Sequence, residues 1–273
     1  MRIGLTRWYR NPALLKHWKD LPPFWISRKA DPIHKHFRMI LMRKRASFQA
    51  WQFSSFRVWD INRKENMKIK EAKQITGSMT RTSKMPGLSY SLPAWECKTG
   101  AKLAKVAGSV CAGCYAMKGN YTRYPAIKAA QYVRLKAIND PRWVDAMVAQ
   151  IKRQKYFRWH DAGDIQSEDH LLKIFEVCKR TPKTKHWLPT REAQFLKLIT
   201  PEEVPDNLTI RMSSHMVDQG PVSFWPWTST VKSKKGDWYK GKNICPAPQQ
   251  NNECRDCRAC WDRNTKNVQY GKH

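Results

Sequence analysis

The sequence predicts an α/β fold built on a parallel sheet. From Met67 onward, helix-like and strand-like segments alternate. The strand candidates recur at intervals of roughly 25 residues, the spacing of βα units. Polar residues collect just after those strands, where parallel sheets place their sites. His160, Asp161 and Asp164 follow one strand, Thr190 and Arg191 the next, and Ser213, Ser214 and His215 a third.

The elements follow in order. Residues 1–66 carry 15 Lys/Arg against four Asp/Glu, and five tryptophans (Trp8, Trp18, Trp25, Trp51, Trp59). Pro12, Pro22, Pro23 and Pro32 interrupt any long helix there, leaving a short amphipathic stretch near 34–49. Basic residues mixed with aromatics suit single-stranded nucleic acid. Met67-Lys68-Ile69-Lys70 also reads as a natural start, so residues 1–66 are expected to be a basic N-terminal extension, disordered or not made in the cell. Residues 67–244 form the main domain. Helices are expected over 100–106 and over 123–138, where Pro125 suits a first turn. A third spans 141–154, with Trp143, Met147 and Ile151 on one face. Tyr156 to His160 is a strand, Asp161 to Asp164 a turn, and Ser167 the N-cap of a helix over 168–180. Lys185–Leu188, Asn207–Ser213 and Thr228–Val231 complete the strands, with a short helix over 191–199. The segment 245–273 shows little periodicity, and its shape is expected to come from bound metal.

The formal charge of +29 favours a polyanion, chiefly nucleic acid bound through a basic surface. No run of 18 apolar residues occurs, so no membrane span is expected. The N-terminus lacks an apolar stretch with a small-residue cleavage site, so an intracellular, reducing setting is expected. There, clustered cysteines are metal ligands more often than disulfides.

Seven of the eight cysteines fall in two groups. Cys97, Cys111 and Cys114 make a C-x13-C-x2-C set followed by Tyr115; Cys245, Cys254, Cys257 and Cys260 make a C-x8-C-x2-C-x2-C set. A two-residue spacer lets one loop present two thiolates to one centre, in zinc sites and iron–sulfur clusters alike. Four thiolates in the second set would complete a 4Fe–4S cluster or a structural zinc site. Its close spacing is nearer to ferredoxins than to two separated zinc pairs. Three in the first would leave one iron open to a ligand. One cluster or two, or convergence of both sets on one site, are all compatible with the spacing. Cys178 lies among apolar helix residues and reads as core. In the turn after the first strand, Gly163 would admit a ligand close to the backbone, and Asp164 would accept from an amine or a ribose hydroxyl. Walker loops, G-x-G-x-x-G and H-E-x-x-H are missing from the sequence.

Several unlike motifs occur together in a fixed order. They are Lys84-Met85-Pro86-Gly87, Ser91-Leu92-Pro93-Ala94, Cys97-Lys98-Thr99-Gly100, and Cys111-Ala112-Gly113-Cys114-Tyr115-Ala116. Then come Trp159-His160-Asp161-Ala162-Gly163-Asp164, Arg211-Met212-Ser213, and Cys245-Pro246-Ala247 through Cys260-Trp261. From about Met67 to His273 the chain resembles the phage gene product 88 family, which implies a bacteriophage protein in the host cytoplasm. The cysteine element ending in Tyr115-Ala116 also resembles radical S-adenosylmethionine proteins. That resemblance implies a partial, TIM-like (β/α) barrel in which three cysteines hold a 4Fe–4S cluster and the fourth iron chelates S-adenosylmethionine. Gly163, Asp164, Tyr115 and Ser213 would then bind the cofactor. The chain departs from that pattern: the usual C-x3-C-x2-C is stretched to C-x13-C-x2-C, and Ala162-Gly163-Asp164 stands only loosely for the amine-binding Gly-Gly-Glu. The expectation is thus an iron–sulfur protein with redox or radical chemistry. Against it stand a zinc-stapled nucleic-acid-binding protein without catalysis and an electron-transfer protein.

Overall fold

The computed structural model describes residues 67–234, 237 and 243–272. The chain divides between Lys64 and Glu65, and the described residues belong to the second unit. The expected extension over 1–66, its short helix and its aromatic-basic pattern lie outside the described residues.

Helix α1 (Ile69–Thr76) opens the unit, followed by strand β1 (Leu88–Tyr90) and the short helices α2 (Gly100–Leu103) and α3 (Asn120–Arg123). Helices α4 (Pro125–Ala137) and α5 (Trp143–Ile151) lead to β2 (Tyr156–Trp159). Then come α6 (Glu168–Arg180), β3 (Lys185–Thr190), α7 (Ala193–Leu196), β4 (Leu208–Ser213), β5 (Thr228–Lys232) and β6 (Asn267–Gly271). Pro125 occupies the first turn of α4, and the Ser167 hydroxyl caps α6 by accepting from the His170 amide at 3.0 Å.

The six strands of the described residues form one all-parallel sheet in the order β1-β2-β3-β4-β5-β6. Strand order never reverses, so the sheet lacks the switch point of doubly wound folds. Sequential order is the one that barrels use, but here β1 and β6 remain edges and the sheet is open. Ile244 makes a parallel bridge to Gln269 and extends the β6 edge by one residue.

The period of two along each strand gives the sheet two unlike faces. One carries Tyr90, Trp159, Leu188, Ile210 and Met212 and joins the helices in a single apolar core. Trp143 of α5 sits there against Tyr90, Trp159 and His170, with ring centroids 6.1, 6.1 and 5.5 Å away. Cys178 of α6 is fully buried in this core. The opposite face carries Arg158, Trp187, Thr209 and Arg211, and the cysteine-rich segment covers it. Trp261 is the anchor: its indole N–H donates to the Phe157 carbonyl at 3.0 Å, and its own carbonyl accepts from Thr209 at 2.9 Å. Its ring meets Trp187 edge-on at 5.2 Å. Burying such an indole stabilises by about 3 kcal/mol, so packing holds this cover to the sheet.

Several elements differ from the sequence expectation: α1 was not expected, and the helix expected over 191–199 is confined to Ala193–Leu196. The short β1 was not anticipated, because three residues show too little alternation. The segment 245–273 contains a sheet strand where none was expected: Asn267–Gly271 pairs with β5, with Val268 and Gln269 buried. Only five residues long and flanked by polar chain, it gave no strand signal of its own.

Candidate metal centre

The loop after β1 turns through a 3₁₀ segment, Ala94–Glu96, and Cys97 closes it. Cys111 and Cys114 end a second loop, where the Cys114 amide donates to the Cys111 carbonyl at 3.1 Å. That one-turn closure puts both thiols of the C-x2-C pair on one side of the loop. Each part of the set is tied to a different strand end. The buried Glu192, just past β3, accepts from the Thr99 amide at 2.8 Å and the Thr99 hydroxyl at 2.7 Å. The Val110 amide donates to the His215 carbonyl beyond β4 at 2.9 Å. The Tyr115 hydroxyl donates to the Asp161 carbonyl beyond β2, and the Tyr121 hydroxyl to the Asp161 carboxylate at 2.9 Å. Three strands thereby place three cysteines over the C-terminal edge of the sheet.

The thiols lie within each other's electrostatic reach. Burial pushes the Cys97 thiol up, and the charges of Asp164, Cys114, Glu192 and Cys111 add to that. Burial raises Cys111 as well, with Arg191 opposing. Gly100 stands between the two, for a Cβ there would lie 2.9 Å from Cys97 Cβ and 3.7 Å from Cys111 Sγ. A thiolate in such surroundings needs a cation beside it, which a metal ion would supply.

The second set is organised on the covered face. The Cys257 amide donates to the Cys254 carbonyl at 2.9 Å, repeating the closure of the first pair. The Cys254 amide binds the Lys84 carbonyl and the Cys245 amide the Gln269 carbonyl, each at 2.9 Å. Cys260 Sγ lies 3.1 Å from the Tyr270 hydroxyl of β6. Burial pushes its thiol up to about 12. Fully buried Arg211 clamps the backbone beneath: Nε donates to the Cys260 carbonyl at 3.0 Å, and the two Nη atoms donate to Ala259, Asp262 and Thr265 at 2.5–3.0 Å. Burial lowers the Arg211 pKa.

The other expected residues make structural contacts as well. Asp164 Oδ1 accepts from the Ile165 amide at 2.8 Å and the Thr190 hydroxyl at 2.6 Å, and Oδ2 from the Arg191 amide at 2.8 Å. Burial raises its pKa to about 6 against those bonds. Three of roughly four lone-pair positions are thus used, and one remains on Oδ2. Gly163 has φ +80°, and a Cβ there would lie 2.5 Å from Leu92 Cβ, so what comes close to it is Leu92. Ser213 accepts a hydrogen bond from Ser229 at 2.9 Å. Tyr115 is half-exposed beside Cys114. The sequence assigns no role to Gly100, Glu192, Arg158 or Tyr121. Arg158 donates to Tyr115 at 3.4 Å and stacks on Trp187 at 4.6 Å. A glycine three residues after Cys97 was the one signal in the sequence for any of them.

The donor chemistry fits iron–sulfur ligation: three buried or half-buried thiols in one set, four in the other, and no disulfide using any of them. Among the described residues no three His, Cys, Asp or Glu side chains are drawn in around a single-ion position. The model of one protein family, Gene product 88, matches residues 59–263. No curated protein and no solved structure matches the chain.

Proposed function

The chain belongs to the gene product 88 family, and we propose that within it this bacteriophage protein is an iron–sulfur protein with a radical S-adenosylmethionine-like partial barrel. The observation that supports this best is the gathering of Cys97, Cys111 and Cys114 over the C-terminal edge of a sequentially ordered parallel sheet. Those three would hold a 4Fe–4S cluster with one iron free for a ligand. Cys245, Cys254, Cys257 and Cys260 would hold a second, complete cluster. The clusters would supply one-electron chemistry. The protein's own part is positional. Glu192 fixes the Cys97 loop to β3, and Asp164 ties the β2 and β3 ends together. The remaining Asp164 lone pair and the half-exposed Tyr115 would help hold the cofactor. S-adenosylmethionine is the cofactor this arrangement suggests, and the host cytoplasm its setting. Among the described residues no helix is long and apolar enough to cross a membrane.

Anaerobic purification with iron, sulfide and zinc analysis tests the reading. About eight irons per chain are expected, with broad absorption near roughly 400 nm. Cys114→Ala and Cys257→Ala should each remove about half the iron. Zinc without sulfide would replace this reading with the second one, a zinc-stapled nucleic-acid-binding protein, which the charge of +29 favours.

A further inference from the structure

Between Glu96 and Asp140 the chain has no carboxylate. The stretch 97–139 holds eight basic residues, although the whole chain's 22 Asp/Glu in 273 residues would put about three or four there. This is the stretch that carries Cys97, Cys111 and Cys114. Of its basic residues only Arg134 is buried; Lys98, Lys102, Lys105, Lys118, Arg123, Lys128 and Lys136 are exposed.

Large aromatic side chains lie among them. Tyr124, Lys128 and Tyr132 recur every four residues at the start of and along α4, so they form one stripe, and all three are exposed. Residues 122–129 are exposed without a break, so the first turns of α4 are uncovered on every side. Lys128 reaches over the Trp95 ring at 5.1 Å, and Tyr132 donates to Glu96 Oε1 at 3.1 Å, which fixes both rings. The stripe is continuous with the cysteines. Ala94, next to Trp95, packs with Ala116 and Ala162, and Cys114 and Tyr121 lie against that group. Tyr121 in turn lies 6.0 Å from Tyr115.

A cationic surface set with uncovered rings has two demands, phosphate charge and flat π faces. A second copy of the chain would meet it with the same positive charge, and residues 1–66 are themselves basic, so neither is its complement. Duplex hides its bases from the rings. From this juxtaposition we propose that α4 and the loops bearing Cys97, Cys111 and Cys114 form a binding surface for single-stranded nucleic acid, bases stacked on Tyr124, Tyr132 and Trp95, phosphates on the lysines. The strand leads to the three cysteines, which makes an unpaired nucleotide the substrate of the centre. That last step rests on the iron–sulfur reading; the surface itself does not.

The test is anisotropy titration of the full chain with labelled single strands of about 15 nucleotides, the same sequence as duplex, and anionic phospholipid vesicles, across a salt series. Iron is measured on every preparation. Tyr124→Ala and Tyr132→Ala should each weaken single-strand binding about tenfold with an unchanged salt slope. Lys102→Ala and Lys128→Ala should each lower the slope by about one. Equal affinity for single strand and duplex, equal losses with vesicles, or parental binding by all four variants would overturn the surface. Iron-free protein that still shows the expected losses would keep the surface and remove the iron–sulfur reading. Iron-loaded protein with unaltered variants would do the reverse.

Discussion

Gly100 and Gly113 both sit in the cysteine loops, and only one of them is constrained. Nothing lies within 4 Å of where a Gly113 Cβ would stand, even though its neighbours are Cys111 and Cys114. At Gly100 the same atom meets Cys97 Cβ at 2.9 Å. Alanine in a helix normally gains about 1 kcal/mol over glycine, but a clash with a β-carbon cannot be relieved by turning a side chain and costs about 1–3 kcal/mol. Gly100→Ala should therefore lose stability and lower iron loading at the first set, while Gly113→Ala should keep both near the parent. Urea unfolding and iron analysis of the two proteins check this; equal iron in both would mean that Gly100 does not shape the centre. Gly163 is a different case. Its positive φ and the Leu92 contact require glycine where two loops meet.

At the scale of elements, β4 and the segment over it depend on one side chain. Arg211 is fully buried, and its donors are spent on the carbonyls of Ala259, Cys260, Asp262 and Thr265, with Thr228 at 3.3 Å. Bonds from a charged donor are worth about 1.5–3 kcal/mol each, and buried carbonyls left without donors add a penalty. Arg211→Met should destabilise by about 3 kcal/mol or more and reduce iron at the second set. A denaturation midpoint within about 1 kcal/mol of the parent would show that Trp261 packing alone seats the segment. The Arg211-Met212-Ser213 motif was visible in the sequence, but nothing local reveals that its arginine points at backbone carbonyls some 50 residues away.

The helix–sheet core as a whole should be sensitive to acid. His160, His170 and His186 are buried in it. Burial holds His160 and His186 down to about 3 and His170 well below its usual range. The His170 ring accepts from the Gln166 amide at Nδ1, as a neutral imidazole does. The native state leaves these rings neutral where the unfolded chain protonates them near pH 6.5. Their contribution is present in full above about pH 6.5 and is lost as pH falls toward 3, each adding a slope of about 1.4 kcal/mol per pH unit. Urea midpoints should drop between pH 7 and pH 5, and His186→Gln should flatten the drop by about one such slope. A midpoint that is level over that range would mean the rings protonate inside the fold.

The sequence by itself determined the βα rhythm, the three long helices to within three residues at each end, the Ser167 cap, and the two cysteine sets. These rest on signals carried within a few residues: periodicity, capping chemistry and ligand spacing. The tertiary structure decided what depends on distant partners. Sequential strand order, the recruitment of Asn267–Gly271 as the sixth strand, and the cover over the Arg158–Arg211 face all follow from packing between segments up to a hundred residues apart. The site divides the same way. Its thiols were legible in their spacing. Glu192, Gly100 and Arg211 were not, because each acts on a loop or backbone that only folding brings beside it.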